Sequence, residues 1–581
     1  MTPRVFDTLL YLIEHRGAIR GKDEMIAAIW PGRVVEENNL SQSISSLRRA
    51  LGEGRDGARY ILTIPGRGFR FVAEVRVAAE QDNARVAGGV VVPLPRRSPH
   101  GAAPQVALVP QTQARMASAT ASRPKVLAVL PFRSLLPAQR DDAFVMGMAE
   151  TLIARLSNSP EIAVRPLSLA RRYDTLERDP LAAGRELGAD IVLDGALQRD
   201  GAGLRVTARL LRVCDGVALW SGRFDVEFTG VFDVQDAISG RVADALALRP
   251  GGSQKQMLTR RDTGNVDAYQ CYLTGRHHIA KLTPPEIRKG IAMFEQAIAL
   301  DPRYARAYAG AADAYRRLPI ACDWRPTEAF PQAQAAALKA LALDATVAEA
   351  HFALGFVRFW YDWRWAEAET EFRRAIDLGP DSAEPYLGLG HLLSNLGRQS
   401  EALAEIRRAR ERDPLSLIAN TLEASFLSLA QRDEDALACL GKTFDIDPDF
   451  WVAHLHLGGI YFKTGRTGDA IAALQRARIL SDNAPQTIAA LGYVFARGSD
   501  SNRARACMQE LNDLAAQRYV PPANFAVVCC GLGETDQALK WLERAYAERD
   551  VRLTFLKIDR RWDALRGNPR FADLAKRMEL E

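Results

Sequence analysis

The chain has 581 residues, of which 48% are hydrophobic and 25% charged, and its formal net charge is +5. This length predicts several domains of roughly 100 to 200 residues each, and the composition is that of an ordinary globular protein. The small net charge excludes a chain that is basic throughout, so any surface that binds nucleic acid must be local.

The seven cysteines are scattered along the chain and form no C-x-x-C pair. Their odd number and their spacing argue for free thiols in a reducing compartment, and against a disulfide framework or a zinc ribbon. No apolar run approaches the ~20 residues needed to cross a bilayer, and the N-terminus lacks the layout of a signal peptide. We therefore expect a cytoplasmic protein with no membrane partner.

Residues 1–76 are predicted to form three helices and a β-hairpin. Apolar residues at helical spacing are Phe6, Leu9, Leu10 and Ile13 in the first helix, Met25, Ile26, Ile29 and Trp30 in the second, and Leu40, Ile44, Leu47 and Leu51 in the third. The stretch RYILTIPGRGFRFVAEV then gives two alternating strands around a cationic turn. This order is that of a winged helix-turn-helix, whose third helix enters the major groove while its wing lies along the backbone or minor groove.

The outer face of the third helix is suited to reading DNA. Its polar residues are Asn38, Ser41, Gln42, Ser45, Ser46 and Arg49. Amides pair with adenine edges, hydroxyls pair with several bases, and arginine favours guanine or phosphate. The arginines at 48, 49, 55, 59, 67 and 70 against the acids at 53 and 56 leave this strip with a charge of about +4.

The segment VVEENNLSQSISSLRRALGEGRDGARYILTIPGRGFRF resembles the OmpR-type winged helix of bacterial transcriptional regulators, in which a helix ending LRRALG precedes a G-x-G-[YF]-R-F wing. The resemblance covers Thr2 to Phe71. It implies base or groove contacts from Asn39, Ser41, Ser45 and Ser46, phosphate contact from Arg48 or Arg49, and wing contacts from Arg67 and Arg70. That family has a small antiparallel sheet before the first helix. The chain begins at the helix itself, so we expect either that the start codon has been placed too far downstream or that the domain lacks this layer.

Residues 77–124 are rich in Ala, Pro, Gly, Ser and Gln and are predicted to be a flexible linker.

A small α/β domain is predicted over residues 125–249. It comprises the strand KVLAVLPF, a helix through Leu152, a helix near Arg185, a meander of about three strands, and a helix from Val231 to Leu246. Its phrases VLAVLPF, GMAETLIARL and ELGADIVLDGALQRDGAGLRVTARLL resemble the TolB-like domain of CadC-like and adenylate-cyclase-associated regulators. In that family the domain precedes tetratricopeptide repeats.

The last half of the chain repeats with a period of about 34 residues, the length of a tetratricopeptide repeat. The alanines in register are Ala368, Ala402, Ala436, Ala470, Ala504 and Ala538, and prolines 380, 414 and 448 keep the same step. Small residues are needed where the two helices of a repeat cross closely. We expect about eight helical pairs over residues 266–581, stacked in a right-handed α-solenoid.

No pattern points to catalysis or to a bound metal or cofactor. The alternating Asp445, Asp447 and Asp449 lack the glycine and the glutamate of an EF-hand loop. The pairs His277 with His278 and His454 with His456 lack metal-ligand spacing. Trp360, Trp363 and Trp365 are expected to be core residues, with an aromatic cage for a ligand as the alternative.

The predicted fold class is therefore multidomain and mainly α: a winged helix, a small α/β domain and a repeat solenoid. The predicted function is that of a soluble bacterial DNA-binding transcriptional regulator, whose partners are double-stranded DNA and a protein or peptide on the concave face of the solenoid. Self-association as a homodimer is an alternative use of that face. The competing hypothesis is a repeat adaptor whose truncated winged helix does not bind DNA.

Overall fold

The computed structural model of the chain describes most of the sequence, with gaps. The described residues are 3–15, 20–29, 40, 43–45, 47, 48, 60–64, 68–72, 125–135, 142–157, 159, 161–175, 178–200, 203–227, 230–246, 261–322 and 324–580. They belong to two compact units, residues 1–118 and 119–581.

The first unit has the predicted elements. They are α1 (Pro3–Glu14), α2 (Lys22–Ile29), β1 (Ile61–Ile64) and β2 (Gly68–Phe71). Between α2 and β1, the described residues Leu40, Ser43 to Ser45, Leu47 and Arg48 are helical. The strands β1 and β2 form an antiparallel hairpin in which Ile61 lies opposite Phe71. One core joins all of these elements, because Leu40, Ile44 and Leu47 are buried together with Leu9, Met25 and Phe71.

The buried face of α1 is wider than the predicted one. Val5, Thr8, Leu9 and Leu12 are buried, whereas Ile13 is only half-buried. Ile13 packs against this core at its margin, so the predicted stripe is confirmed at Leu9 and Ile13, and Val5 and Leu12 are additions to it. The side chains of Phe6 and Leu10 lie outside the described residues.

The second unit begins with an α/β domain. Its strands are β3 (Lys125–Val129), β4 (Arg133–Ser134), β5 (Ile162–Val164), β6 (Ile191–Asp200), β7 (Gly203–Arg212) and β8 (Ala218–Glu227), and its helices are α3 (Asp142–Leu156), α4 (Leu167–Ala170), α5 (Pro180–Glu186) and α6 (Val231–Ala245). The strand order is β5-β3-β6-β7-β8, with β4 also pairing with β6. The strand β3 is parallel to both neighbours, and β6, β7 and β8 form the predicted antiparallel meander.

Helices cover this sheet on both faces. Leu152 of α3 and Ile238 of α6 share a core with Leu193 and Val206 of the sheet. Ala183 of α5 packs on the other face. The α/β prediction is confirmed, and the short β4, β5 and α4 are additions to it.

Helical pairs fill the rest of the second unit. The helices are α7 (Val266–Ile279), α8 (Pro284–Leu300), α9 (Ala305–Ile320), α10 (Pro326–Leu343), α11 (Ala348–Val357), α12 (Trp365–Leu378), α13 (Ala383–Asn395), α14 (Gln399–Arg412), α15 (Leu417–Leu429), α16 (Asp433–Ile446), α17 (Trp451–Lys463), α18 (Thr467–Leu480), α19 (Pro485–Arg497), α20 (Ser501–Ala515), α21 (Pro522–Gly531), α22 (Thr535–Ala547) and α23 (Pro569–Arg577). Within the described part of the chain, α7 to α22 make eight pairs, and α23 follows them.

The repeat register is confirmed by burial and by close helix crossings. The six alanines of the predicted register are all fully buried. A Cβ on Gly458 would lie 2.5 Å from Cγ of Leu474, and one on Gly390 would lie 3.2 Å from the carbonyl oxygen of Ala402. A larger residue at these positions would force the paired helices apart. Pro380, Pro414 and Pro448 each lie two residues after the end of a second helix.

The α/β domain and the first repeat share one hydrophobic core. The hydroxyl of Tyr269 in α7 lies 2.6 Å from Oγ1 of Thr151 in α3 and accepts a 2.7 Å hydrogen bond from Nε2 of Gln235 in α6. A Cβ on Gly147 of α3 would overlap the side chain of Leu273. The two parts of this unit are therefore packed together directly rather than merely tethered.

Among the described helices, none combines the length and the hydropathy that a membrane crossing requires.

Candidate nucleic-acid interface and the inner face of the repeats

The hairpin of the first unit is held against the segment that joins α1 and α2. The backbone N–H of Arg20 donates to the carbonyl of Phe69 at 2.9 Å, and the N–H of Phe69 donates to the carbonyl of Arg20 at 3.0 Å. Arg20 therefore acts as a one-residue third strand beside β2. This pairing fixes the base of the wing to the helical part of the unit.

Gly68 is required by that contact. Its φ is +120°, and a Cβ at this position would lie 1.9 Å from the carbonyl oxygen of Arg20. No L side chain fits there without moving the backbone. The backbone geometry at Gly68 is therefore explained by the close approach of Arg20.

Arg48 links the third helix to the hairpin. One of its terminal guanidinium nitrogens donates to the carbonyl of Ile61 at 3.0 Å and to Oγ1 of Thr63 at 2.8 Å. Both acceptors lie in β1. Arg48 thus fixes the position of the wing relative to the third helix. A winged helix that binds in a DNA groove needs this distance to be constant.

Two other predicted contact residues are described. Ser45 is exposed on the third helix, between the buried Ile44 and Leu47. Arg70 lies opposite Leu62 on the face of the hairpin away from Ile61 and Phe71. Among the described residues, Nε of Arg70 finds no hydrogen-bond acceptor. The remaining predicted contacts fall outside the described residues; they are Asn38, Asn39, Ser41, Gln42, Ser46, Arg49 and Arg67.

A small charged network lies beside the hairpin contact. Arg20 forms a 2.6 Å ion pair with Glu24, and the hydroxyl of Tyr11 donates to the same carboxylate at 3.1 Å. The Arg20 guanidinium is the main reason that the pKa of Glu24 lies below its ordinary value. Sequence reasoning missed Arg20, because a single paired residue between two helices gives no periodic signal.

The inner face of the repeats is covered in part by the chain's own C-terminal segment, residues 551–580. The segment contains two short 3-10 helices, Val551–Phe555 and Arg560–Leu565, followed by α23. Its side chains Leu553, Leu556, Trp562, Leu565, Phe571, Leu574 and Met578 are all buried. They belong to the same core as the repeats.

This C-terminal segment contacts several repeats that are distant in sequence. Nδ2 of Asn395 in α13 donates to Oγ1 of Thr554 at 3.1 Å, and Sγ of Cys530 in α21 donates to the carbonyl of Arg561 at 3.0 Å. Helices that meet one common segment must face it. The helices α13 and α21 are each the first of their pair, so the face that first helices line, the inner face of a repeat solenoid, is partly covered here.

The tryptophan cluster is part of this packing. Trp360, Trp363 and Trp365 are buried, and Nε1 of Trp365 donates to the carbonyl of Met578 at 2.8 Å. The guanidinium of Arg549 lies 4.1 Å from the ring centre of Trp363. The prediction that these residues are core is confirmed, and the ligand cage is not needed to explain them.

Within the described residues, no group of three or more His, Cys, Asp or Glu side chains is arranged to hold a metal ion. All seven cysteines are free thiols.

Family models match three successive parts of the chain. The model "Transcriptional regulatory protein, C terminal" matches residues 1–71. The model "HilA/YgeH-like transcriptional regulator, second domain" matches residues 123–241. The model "Tetratricopeptide repeat" matches residues 356–416 and 430–486. The chain thus carries, in this order, segments similar to a transcriptional regulatory domain, to the second domain of HilA/YgeH-like regulators and to tetratricopeptide repeats. The second match corresponds to the domain that the sequence analysis likened to TolB-like domains.

The curated proteins that are similar to this chain include transcriptional regulators. Transcriptional regulator HilA of Salmonella typhimurium is 23% identical over 417 residues, which is 71% of this chain and 66% of HilA. Transcriptional activator CadC of Escherichia coli is 30% identical over 100 residues, which is 17% of this chain and 20% of CadC. A Rhizobium meliloti protein, provisionally named adenylate cyclase 3, is 26% identical over 183 residues, 32% of this chain and 31% of that protein. The chain thus spans slightly less than two thirds of HilA's own length.

Proposed function

We propose that this chain regulates transcription by binding operator DNA through its winged helix. The observation that carries the proposal is the connection between the third helix and the wing through Arg48, inside a segment that matches the model "Transcriptional regulatory protein, C terminal". A helix that reads the major groove and a wing that follows the backbone must keep a fixed spacing. The Arg48 hydrogen bonds provide that spacing.

The proposed contacts divide into two classes. Direct reading of base edges falls to the outer face of the third helix, at Asn38, Asn39, Ser41, Gln42, Ser45 and Ser46. Phosphate contact falls to Arg49 on the helix and to Arg67 and Arg70 on the wing. We give Arg48 a positioning role, because its guanidinium already binds β1.

The repeat half is proposed to bind a protein or peptide, or a second copy of the chain. The C-terminal segment covers part of the inner face, so the partner would use the part of that face that the segment does not reach. The segment between residues 77 and 124 would act as a tether for the winged helix. Two tethered winged helices held together by self-association would bind paired half-sites at a raised effective concentration.

The proposal places the protein in the cytoplasm and includes no catalytic step. The proposed domains of the protein are the winged helix over residues 1–76, the α/β domain over residues 125–249 and the repeat solenoid over residues 266–581. The regulatory and repeat models matched along the chain support this assignment over an enzyme.

The test is enrichment of binding sites from a randomised double-stranded DNA pool by the full-length protein. We expect a defined sequence to be enriched, and Ser46→Ala to relax the preference at one position while overall binding is retained. The matched control is Ser416→Ala, which removes a hydroxyl that caps α15 in the repeats. Failure to enrich any sequence, with the fold intact, would instead favour an adaptor built on the repeats.

A further inference from the structure

The strand β8 ends the sheet of the α/β domain. It is ten residues long, Ala218–Glu227, and among the strands that the structure describes only β7 pairs with it. Its second edge therefore carries a row of backbone N–H and C=O groups with no strand partner within the described part of the chain. Long open edges of this kind are sites of strand addition.

Apolar side chains follow one face of β8 up to this edge. Trp220, Phe224 and Val226 pack against the core shared with α3 and α6, but each remains half-exposed. These rings and methyl groups cover the core only in part. A further strand beside β8 would complete their burial.

Opposite charges alternate along the other face. Arg223 and Asp225 are 58% and 50% exposed, and Nε of Arg223 donates to Oδ2 of Asp225 at 2.9 Å. Arg205 of β7 lies directly opposite Asp225 and also donates to it. The edge therefore presents a cation and an anion two residues apart on one face.

We infer that β8 pairs with β8 of a second copy of this chain, antiparallel and centred on Phe224. In an antiparallel pair, side chains that lie opposite each other share a face. With Phe224 opposite itself, Arg223 faces Asp225 of the second copy and Asp225 faces its Arg223. Each Asp225 would then lie between Arg205 of its own chain and Arg223 of the other.

Charge selects this register over its two neighbours. A centre on Arg223 would place that arginine opposite itself, and a centre on Asp225 would place that aspartate opposite itself. Like charges directly opposite destabilise a strand pair, whereas reciprocal opposite charges stabilise it.

The resulting dimer has two-fold symmetry, the commonest arrangement of soluble oligomers. It continues the sheet of the α/β domain across two copies. The inference concerns the second unit alone and stands whether or not the winged helix binds DNA. If the chain dimerises through β8 and the winged helix binds DNA, the dimer would deliver two winged helices to one operator.

The first test measures the mass of the full-length protein by sedimentation velocity at micromolar concentration and below. Each of Arg223→Asp and Asp225→Arg places like charges opposite each other at two symmetric positions, so we expect the dissociation constant to rise about tenfold or more. The double variant with both changes restores the reciprocal pairs and should recover dimerisation. Arg241→Asp, an equal charge change at an exposed position of α6, should leave the dimer unchanged.

The second test reads the register by disulfide formation. The background is Cys214→Ser, which removes the exposed native thiol. Under mild oxidation Phe224→Cys should give a covalent dimer, because residues that face themselves have Cα atoms about 4.5 to 5.5 Å apart. Arg223→Cys, which would face Asp225 of the second copy, should not.

Three results would overturn the inference. A strictly monomeric wild-type protein excludes the dimer. A dimer that survives both single charge reversals lies at another surface. Preferential cross-linking of Arg223→Cys over Phe224→Cys contradicts the register. Circular dichroism and the melting temperature of each variant separate these results from unfolding.

Discussion

The guanidinium of Arg48 and the hydroxyl of Thr63 lie 2.8 Å apart and join the third helix of the first unit to its hairpin. Arg48→Ala removes this hydrogen bond and the one to Ile61, and should destabilise the hairpin by ~1 to 2 kcal/mol. Hydrogen exchange of the amides in residues 60–72 measures the loss.

The same variant separates two roles for Arg48. If it positions the wing, Arg48→Ala weakens DNA binding without changing the salt dependence, whereas Arg70→Ala lowers the slope by about one counterion. Thr63→Val, which removes only the acceptor, is the matched control and should reproduce part of the Arg48→Ala effect. A lower salt slope in Arg48→Ala would make Arg48 a phosphate contact instead.

Gly68 provides the second prediction. Gly68→Ala places a methyl group against the carbonyl of Arg20 and should cost about 2 kcal/mol or more, since the residue also has a left-handed φ. Gly21→Ala is the matched control, because a Cβ at that glycine meets nothing within 4 Å. Exchange of the amides of Arg20 and Phe69 should accelerate only in Gly68→Ala. Equal protection in both variants would contradict the proposed contact.

The elements with a clear period were predictable from the sequence. The alanine register set the repeat pairs, and Leu40, Ile44 and Leu47 set the buried side of the third helix. The strands β4 and β5 were not predicted, because two and three residues are too few to show alternation. The stripe of α1 was predicted without Val5 and Leu12, since a helix with many apolar residues allows more than one buried face.

The candidate site was only partly predictable. Composition and resemblance pointed to the third helix and the wing. The direction of the Arg48 side chain depends on Thr63, fifteen residues further along the chain, which no local pattern reveals. The covering of the inner face depends on pairs such as Trp365 with Met578, which are 213 residues apart. Such contacts follow from tertiary packing rather than from local propensity.

Trp365 provides the third prediction. Trp365→Phe keeps most of the ring but loses the hydrogen bond from Nε1 to the carbonyl of Met578, and should destabilise the C-terminal segment by ~1 to 3 kcal/mol because that carbonyl stays buried. Trp324→Phe loses a similar bond to Glu328 at an exposed position and should cost less. Limited proteolysis of residues 551–580 compares the two variants. No difference between them would argue against a docked segment.

The fourth prediction concerns pH. Burial lowers the pKa of His391 to about 4, and it lowers the pKa of His456 to about 4 as well. His391 lies with its ring centre 5.3 Å from that of Phe359 and 5.4 Å from that of Phe555. In the unfolded chain a histidine titrates near ~6.5. Between that pH and about 4 the unfolded chain therefore binds more protons, so stability falls as the pH falls through this window.

Urea unfolding at several pH values across this window measures the effect. His391→Gln should be less stable than the wild type at neutral pH, where packing dominates, but should lose less stability on acidification. The expected reduction in the acid-induced loss is on the order of 2 to 3 kcal/mol. An unchanged pH dependence in this variant would contradict the assignment of a buried neutral imidazole.

The most direct test of the central claim is fluorescence anisotropy of the full-length protein with its enriched DNA site and with a shuffled control, across a salt titration. We predict that the specific site resists salt better than the control and that Arg67→Ala lowers the salt slope by about one. We also predict that Ser46→Ala reduces the discrimination between the two DNAs. Equal binding to both DNAs at every salt concentration, or no binding by a folded protein, would contradict sequence-specific recognition by the winged helix.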